Sequence, residues 1–186
     1  IVEEAYERCG LEARTGYDAR TARRSLNIMF SEWANRGLNL WTVNSATQAL
    51  TDGTSSYTFT AEYTDILEVV LRRSGTDFSM SKISRGEYLN LPSKTQKGRP
   101  SQYYFDRQTI PKIFLWPTPE NSTDTLEYFY VRRIQDADTL QNTSDVPFRF
   151  LPCMVAGLSY YLSVKRAPER TQLLKSIYEE EFQRAA

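Results

Sequence analysis

At both ends of the chain, apolar residues recur every three or four positions, a spacing that places them on one face of an α-helix. The residues from Phe150 to Val164 carry no charge at all, which is typical of a buried helix. This run is shorter than the roughly 20 apolar residues that a membrane span needs. Ala156, Gly157 and Ser159 within it leave room for another helix to approach closely. The pattern predicts a helical bundle built around this run, with helices near 1–9, 18–36, 147–166 and 168–185.

Residues that favour helix ends flank these segments. Asp18 and Asp145 are predicted N-caps, because a short side-chain oxygen can accept hydrogen bonds from the free backbone N–H groups of a first turn. Gly10 and Gly37 are predicted to follow the ends of the first two helices, since glycine readily adopts the left-handed conformation needed there. The residues predicted to face the core are Ile1, Val2, Ala5, Tyr6 and Cys9 in the first helix, Ala22, Leu26, Met29, Phe30 and Trp33 in the second, and Leu173, Leu174, Ile177, Tyr178, Phe182 and Ala185 in the last.

From about residue 40 onward the sequence changes to short runs of apolar, β-branched and aromatic residues, which indicate β-strands. Turn-forming residues such as Gly53, Gly75 and Pro119 separate these runs. Residues 83–89 fit either a strand or a helical turn, and we favour the helical turn. The predicted strands are Leu40–Val43, Tyr57–Thr60, Ile66–Leu71, Tyr103–Phe105, Lys112–Trp116 and Leu126–Val131.

The order helices, strands, helices predicts an α+β protein whose helical bundle comes from two distant parts of the chain. We expect a bundle domain of residues 1–38 plus 145–186, because the first two helices need a partner on which to bury their apolar faces. Residues 39–144 are predicted to form an inserted antiparallel β domain, either a sandwich or barrel-like. At 186 residues, the chain is long enough to bury a substantial core.

The overall charge does not indicate a class of function, because 23 lysine and arginine residues balance 23 aspartate and glutamate residues. No overall field therefore attracts nucleic acid or an anionic membrane. The segment from Lys82 to Arg107 is the one place with a marked local excess of positive charge. Cys9 and Cys153 each fall in a predicted helix. A disulfide between them is possible, but two reduced and buried thiols are the favoured interpretation.

The sequence contains few of the residues and motifs that enzymes use. It contains no histidine, the residue that titrates nearest neutral pH and the commonest metal ligand. Neither a phosphate-binding P-loop nor a glycine-rich dinucleotide motif occurs. Ser79 and Lys82 match an S-x-x-K pattern, and Tyr161 and Lys165 match Y-x-x-x-K, but the companion motifs of both patterns are missing. We therefore expect no enzymatic activity, no cofactor and no bound metal.

A basic segment between two predicted ordered elements is a candidate contact site. Residues 92–100 carry Lys94, Lys97 and Arg99 and no acidic residue. Such a loop can contact DNA phosphates or an acidic partner surface. A solvated hairpin loop has the same composition, and this second interpretation is the one the sequence alone favours.

Two arginine pairs end or follow predicted strands. They are Arg72 with Arg73, and Arg132 with Arg133. Because side chains alternate along a strand, one arginine of each pair is expected to point outward. All four are candidates for salt bridges between subunits. The alternative is that they guard a sheet edge against unwanted pairing.

Three parts of the sequence together resemble the head-to-tail adaptors, or connectors, of short-tailed bacteriophages, including those called tail tubular protein A. The likeness extends over nearly the whole chain, although it consists of packing and turn residues and no single motif is diagnostic. The stretches that carry it are Asp18–Asn27 with Trp33–Gly37, Leu40 and Trp41; Ile83–Tyr88 with Leu115–Pro119; and Val146–Pro152 with Ala156–Leu162 and Tyr178–Phe182.

The resemblance implies a structural protein of the virion neck or tail, assembled in the host cytoplasm. Such adaptors form a dodecameric ring beneath the portal protein. The ring joins the portal to the tail nozzle or tail fibres and continues the channel through which double-stranded DNA is ejected, without reading its sequence. Balanced charge suits that role, because a near-neutral channel lets DNA slide where a strongly basic one would hold it.

The alternative is a binding module whose β domain presents aromatic side chains to a carbohydrate or a peptide. In a strand, Tyr128 and Tyr130 share one face and Phe129 lies on the other. Oligomeric state separates this function from the adaptor function, because a module of this kind needs no ring. The candidate aromatic face consists of Tyr103, Tyr104, Trp116, Tyr128 and Tyr130.

Overall fold

The computed structural model describes residues 1–13, 16–37, 41–135 and 145–186. Its helices and mainly antiparallel sheets confirm the predicted α+β class. The chain forms two compact units, a helical unit of residues 1–41 and 134–186 and a β unit of residues 42–133. The predicted domain boundaries after residues 38 and 144 lie outside the described residues.

Four of the helices belong to the helical unit, and α3 belongs to the β unit. Short 3₁₀ turns, Phe148–Phe150 and Pro168–Arg170, lead directly into the last two helices. A capping box between Ser84 and Glu87 starts α3, which confirms the helical interpretation of that segment. The helices are α1 (Val2–Arg8), α2 (Gly16–Asn35), α3 (Arg85–Asn90), α4 (Leu151–Arg166) and α5 (Thr171–Ala185).

Helix α4 is the centre of the helical unit, since α1, α2 and α5 all pack against it. Gly157 on α4 marks the closest approach. A Cβ atom there would collide with Met29 Sδ of α2 and lie 2.8 Å from Cε2 of Tyr178 on α5. This confirms the expected close helix contact at the small residues of α4. All five residues of the predicted α2 stripe are buried: Ala22, Leu26, Met29, Phe30 and Trp33.

Both predicted N-caps are wrong. Asp18 lies within the first turn of α2, where its buried carboxylate forms an ion pair with Arg166 at 2.7 Å. Asp145 does not cap α4, because a 3₁₀ turn precedes that helix and α4 begins only at Leu151. Pro152 then falls in the first turn, where its missing N–H costs little.

Two of the residues predicted to face the core point outward instead. Ile1 precedes α1 and is 47% exposed, while Leu173 on α5 is 64% exposed. Leu173 and Leu174 are neighbours about 100° apart around the helix, so only one of them reaches the core. Leu174 does so, at 5% exposure.

Two four-stranded sheets and a small two-stranded sheet make up the β unit. The first sheet has the order β1-β10-β3-β4, the second β2-β8-β7-β5, and the small one joins β6 to β9. The strands are β1 (Val43–Ala49), β2 (Ser56–Thr58), β3 (Tyr63–Arg73), β4 (Thr76–Ser79), β5 (Ser81–Lys82), β6 (Lys97–Gly98), β7 (Gln102–Asp106), β8 (Lys112–Trp116), β9 (Thr118–Pro119) and β10 (Thr125–Arg132).

Side chains from both four-stranded sheets share one core, as the inner faces of a sandwich do. The predicted strands are found, except the first. Its Leu40 lies outside the described residues, and Trp41 packs in the helical unit with its ring 4.7 Å from that of Phe150. Strand β1 therefore begins at Val43. The shared core consists of Leu50, Phe59, Ile66, Val69, Leu71, Tyr103, Phe105, Ile113, Leu115, Leu126 and Tyr128.

Candidate interaction surfaces

The basic segment is fastened to β8 and β9 and is not a hairpin loop. Strand β6 runs parallel to β9. The Trp116 indole N–H donates to the Ser93 carbonyl oxygen at 2.8 Å, and the Thr118 hydroxyl donates to the Lys94 carbonyl oxygen at 2.9 Å. Backbone and side-chain bonds together therefore hold residues 93–98 in place.

Each cation of this segment has a partner within the β unit. Lys97 Nζ lies 2.7 Å from a carboxylate oxygen of Asp52, with both side chains about half exposed. Lys94 Nζ donates to a backbone carbonyl at 3.1 Å, and the Arg99 guanidinium lies 4.2 Å from the centre of the Phe78 ring. Exposed contacts of this kind contribute no more than about 1 kcal/mol each. A phosphate or an acidic surface can therefore compete for these cations, and their contact role stays a prediction.

The first arginine pair divides between surface and interior. Arg72 is exposed and holds both carboxylate oxygens of Asp77, at 2.7 and 2.9 Å, and this lowers the pKa of Asp77. Arg73 binds Asp124, which is 2% exposed, with its shortest contact at 2.7 Å. A second carboxylate, Glu120, lies 2.9 Å from Arg73. Arg73 therefore neutralises a buried charge within the β unit.

A tight turn before β10 places the partner of Arg73. The Asn121 side-chain oxygen accepts from the backbone N–H groups of Thr123 at 3.0 Å and of Asp124 at 3.1 Å. The Asp124 carbonyl in turn accepts from Leu50 N–H at 3.0 Å, which ties the turn to the end of β1. The Asn-x-Thr-Asp pattern was the available sequence signal for this site, and our sequence analysis missed it.

The second arginine pair lies at the end of β10. Arg133 N–H donates to the Glu62 carbonyl at 2.9 Å, and the Arg132 side chain donates to the Arg133 carbonyl at 3.3 Å. Backbone bonds thus fix the position of the pair at this sheet end. A role for the two side chains between subunits stays a prediction.

The aromatic residues of the binding-module alternative do not form one exposed face. Tyr103 and Tyr128 belong to the shared core and are 2% and 4% exposed. Tyr104 lies on the other side of its sheet, where its ring stacks on that of Tyr88 from α3. As predicted, Phe129 points away from Tyr128 and is 49% exposed. No observation of this surface favours carbohydrate or peptide binding.

A polar cluster connects three helices inside the helical unit. The Trp33 indole N–H donates to the Tyr178 hydroxyl at 2.8 Å, and that hydroxyl donates to Glu32 at 2.6 Å. Arg36 forms ion pairs with Glu32 and, through two hydrogen bonds of 2.8 Å, with Glu179. The spacing of Glu32 and Arg36, four residues apart, was a sequence signal for part of this cluster.

Burial and neighbouring carboxylates change the titration of the cluster. Desolvation, followed by the bond to Glu32, raises the pKa of Tyr178. The same causes raise the pKa of Tyr161, which also donates to Glu32, to about 12. Hydrogen bonds from Arg36 lower the pKa of Glu179. At neutral pH both phenols therefore stay protonated, as donors must be. The hydrogen bonds of this cluster therefore hold α2, α4 and α5 together.

Both cysteines are free and buried, as predicted. The Cys9 thiol donates to the Ser159 carbonyl oxygen at 3.2 Å. Burial raises the pKa of both thiols, that of Cys153 to about 12. Neutral thiols in such surroundings are poor nucleophiles, so the pair serves to pack α1 and α4.

Neither of the two enzyme-like patterns forms a catalytic pair. Lys82 Nζ binds Asp65 at 3.0 Å instead of Ser79, and Lys165 Nζ donates to the Ser25 hydroxyl at 2.9 Å. Among the described residues, no group of three or more Cys, Asp or Glu side chains is placed to hold a metal ion. No helix within the described ranges has the length and apolarity that crossing a bilayer requires.

A family model described as SU10 adaptor protein matches residues 13–186, which include all of the β unit and the helical unit apart from residues 1–12 with α1. No curated protein matches the chain.

Proposed function

The chain belongs to the SU10 adaptor protein family, and from that premise we propose that it is a head-to-tail adaptor in the neck of a bacteriophage virion. The family match over residues 13–186 carries this proposal. It agrees with the resemblance to phage connectors, including the tail tubular protein A type. The proposed partners are the portal protein on one side and the tail nozzle or tail fibres on the other.

The proposed assembly is a ring, dodecameric in the tail tubular protein A type, that continues the DNA channel below the portal. A ring needs two different faces that meet head to tail and close by rotation. Equal numbers of basic and acidic residues support passage of DNA without sequence-specific binding. The proposed place of assembly is the host cytoplasm.

We propose different roles for the two units. We interpret the helical unit as a bundle around α4 and the β unit as an inserted domain with a core of its own. The polar cluster of Glu32, Arg36 and Tyr178 supports a rigid scaffold function for the bundle. Because Lys82, Tyr161 and Lys165 of the two enzyme-like patterns form structural bonds, the proposal includes no enzymatic activity, and it includes no cofactor.

The proposed contact residues are exposed or partly exposed cations. Lys94, Lys97 and Arg99 are proposed to contact a partner or passing DNA, since their present bonds are exposed and weak. Arg72 and the pair Arg132 and Arg133 are proposed to lie at contacts between copies. Arg73 is less suited to that role, because the buried Asp124 needs it.

Native mass analysis of the chain, alone and mixed with the purified portal ring of the same phage, tests the proposal. We expect a complex with about one copy of the chain per portal subunit, even if the free chain is monomeric. A chain that stays monomeric and does not bind the portal ring would overturn the adaptor function.

A further inference from the structure

The outward side of α2 carries a stripe of exposed apolar and basic residues, one of which, Tyr17, has the Arg166 guanidinium 5.7 Å from its ring centre. Tyr17 is 60% exposed and Ile28 is 53% exposed. Arg20 and Arg24 lie between them, both exposed, and neither forms an ion pair within the described ranges. With 100° per residue, Tyr17, Arg24 and Ile28 line up opposite the buried face of the helix. We call Tyr17, Arg20, Arg24 and Ile28 the basic stripe.

A stripe of opposite charge runs along α5 and the 3₁₀ turn before it. Leu173 is 64% exposed, and Ile177 one turn later is half-buried. Glu169 and Glu180 flank these two residues and are exposed. Glu180 pairs with Arg184 on the same helix, but both side chains are more than 60% exposed, so the pair contributes little. We call Glu169, Leu173, Ile177 and Glu180 the acidic stripe.

The two stripes face away from each other. Glu179 on α5 points towards the C-terminal end of α2, since it binds Arg36, the residue that follows that helix. Leu173 and Ile177 lie about 120° and 160° around α5 from Glu179. On α2, Ile28 lies about 140° from Trp33, whose indole reaches Tyr178 of α5. Neither stripe can therefore bind the other within one copy of the chain.

We propose that neighbouring copies assemble through these stripes, the acidic stripe of one copy packing on the basic stripe of the next. Exposed apolar side chains on both stripes supply the buried contact, and two arginines facing two glutamates supply complementary charge. Because the stripes are different surfaces on opposite sides of the unit, the contact is head to tail and can be repeated until a ring closes. This inference rests on the proposed ring function.

Charge exchange tests the proposal. One variant carries Arg20→Glu with Arg24→Glu, and a second carries Glu169→Lys with Glu180→Lys. In each variant alone, like charges meet at every contact, and we expect assembly about 100-fold weaker than in the natural chain. Mixed in equal amounts, the two variants present complementary stripes at every contact, so they should co-assemble alternately. Native mass analysis on the portal ring measures all three samples.

Two controls make the result decisive. A chain carrying all four substitutions has both stripes exchanged and should assemble again by itself. Glu3→Lys with Glu7→Lys makes the same change of charge on exposed residues of α1 and should assemble normally. Single-stripe variants that load the portal as well as the natural chain, or a mixture that does not recover, would overturn the stripe contact alone. A natural chain that never binds the portal would overturn the proposed function as well.

Discussion

The two units are stabilised in different ways. In the helical unit, the decisive contacts join residues that are far apart in the chain, such as Trp33 and Tyr178, separated by 145 positions. In the β unit, every strand pairs with another strand from residues 43–132, and hairpins such as β3–β4 pair neighbours. The helical unit thus needs both ends of the chain, whereas the β unit draws its core from one continuous segment.

The helical unit should tolerate substitutions less well than the β unit. The helices approach each other closely at Gly157 and share one partly buried polar cluster, so a local change there affects three helices at once. Apart from the buried bond of Arg73 to Asp124, the ion pairs of the β unit described above lie at its surface, as do Arg72 with Asp77 and Lys97 with Asp52. We therefore expect the largest effects of substitution in the helical unit.

The largest effect is expected for Trp33→Ala. Trp33 is fully buried, contacts the rings of Phe30 and Phe150, and donates to Tyr178. Its removal should cost about 3–5 kcal/mol of unfolding free energy. Trp116→Ala in the β unit is the matched control and should cost less, because Trp116 is only partly buried. Urea unfolding measures both, and equal losses would contradict the comparison.

Glycine-to-alanine changes are expected to have smaller effects on the unfolding free energy, and these effects should have opposite signs in the two units. Gly157→Ala places a methyl group against Met29 and the Tyr178 ring, so it should destabilise the helical unit by about 1–3 kcal/mol. Gly86→Ala lies in α3, where the nearest atom to a new Cβ is 3.9 Å away. It should stabilise by up to about 1 kcal/mol, because alanine favours a helix. Thermal unfolding of both variants measures these changes in stability. A Gly157→Ala protein as stable as the natural chain would show that the helices can separate.

The sequence predicted the helical stripe of α2 because a period near 3.6 survives in any context, and all five residues are buried. It placed Leu173 wrongly because two adjacent leucines both fit the period and only packing selects between them. The bonds of Arg73 to Asp124 and of Trp33 to Tyr178 join residues far apart in the chain. Local patterns contain no information on such pairings. The resemblance to phage adaptors could be found from the sequence alone. The basic and acidic stripes could not, because they depend on which side chains remain exposed after folding.

Alkaline pH should destabilise the helical unit before the β unit. Burial raises the pKa of Cys153 from 9.0 to about 12 and that of Tyr103 in the β unit from 10.0 to about 12. An unfolded chain releases these protons at the ordinary values while the folded chain keeps them. Stability is therefore full below pH 9 and falls by up to about 1.4 kcal/mol per pH unit for each group above its ordinary pKa.

Two variants separate these contributions. Cys153→Ala should reduce the loss that begins near pH 9, to which the buried Cys9 thiol also contributes, and Tyr103→Phe should reduce only the loss that begins near pH 10. Urea unfolding between pH 8 and pH 11, followed by circular dichroism, measures the slopes. An unchanged slope between pH 9 and 10 in Cys153→Ala would show that the thiol is not buried in solution.

The smallest effect on folding is expected for replacement of Lys94, Lys97 and Arg99 together by serine. Their contacts with Leu89, Asp52 and Phe78 are exposed, so the unfolding free energy should change by no more than about 1 kcal/mol per residue. Loading onto the portal ring should nevertheless weaken, because the β unit then loses its main cluster of exposed positive charge.

The matched control replaces Arg85, Lys112 and Lys175, three exposed and scattered cations, by serine. It removes the same total charge and should load normally, since a local cluster and not the net charge is what a partner surface recognises. Equal loss of loading in both variants would assign the effect to net charge. Normal loading of the first variant would leave the segment as a solvated surface, and the weak bonds of its three cations would then be its whole role.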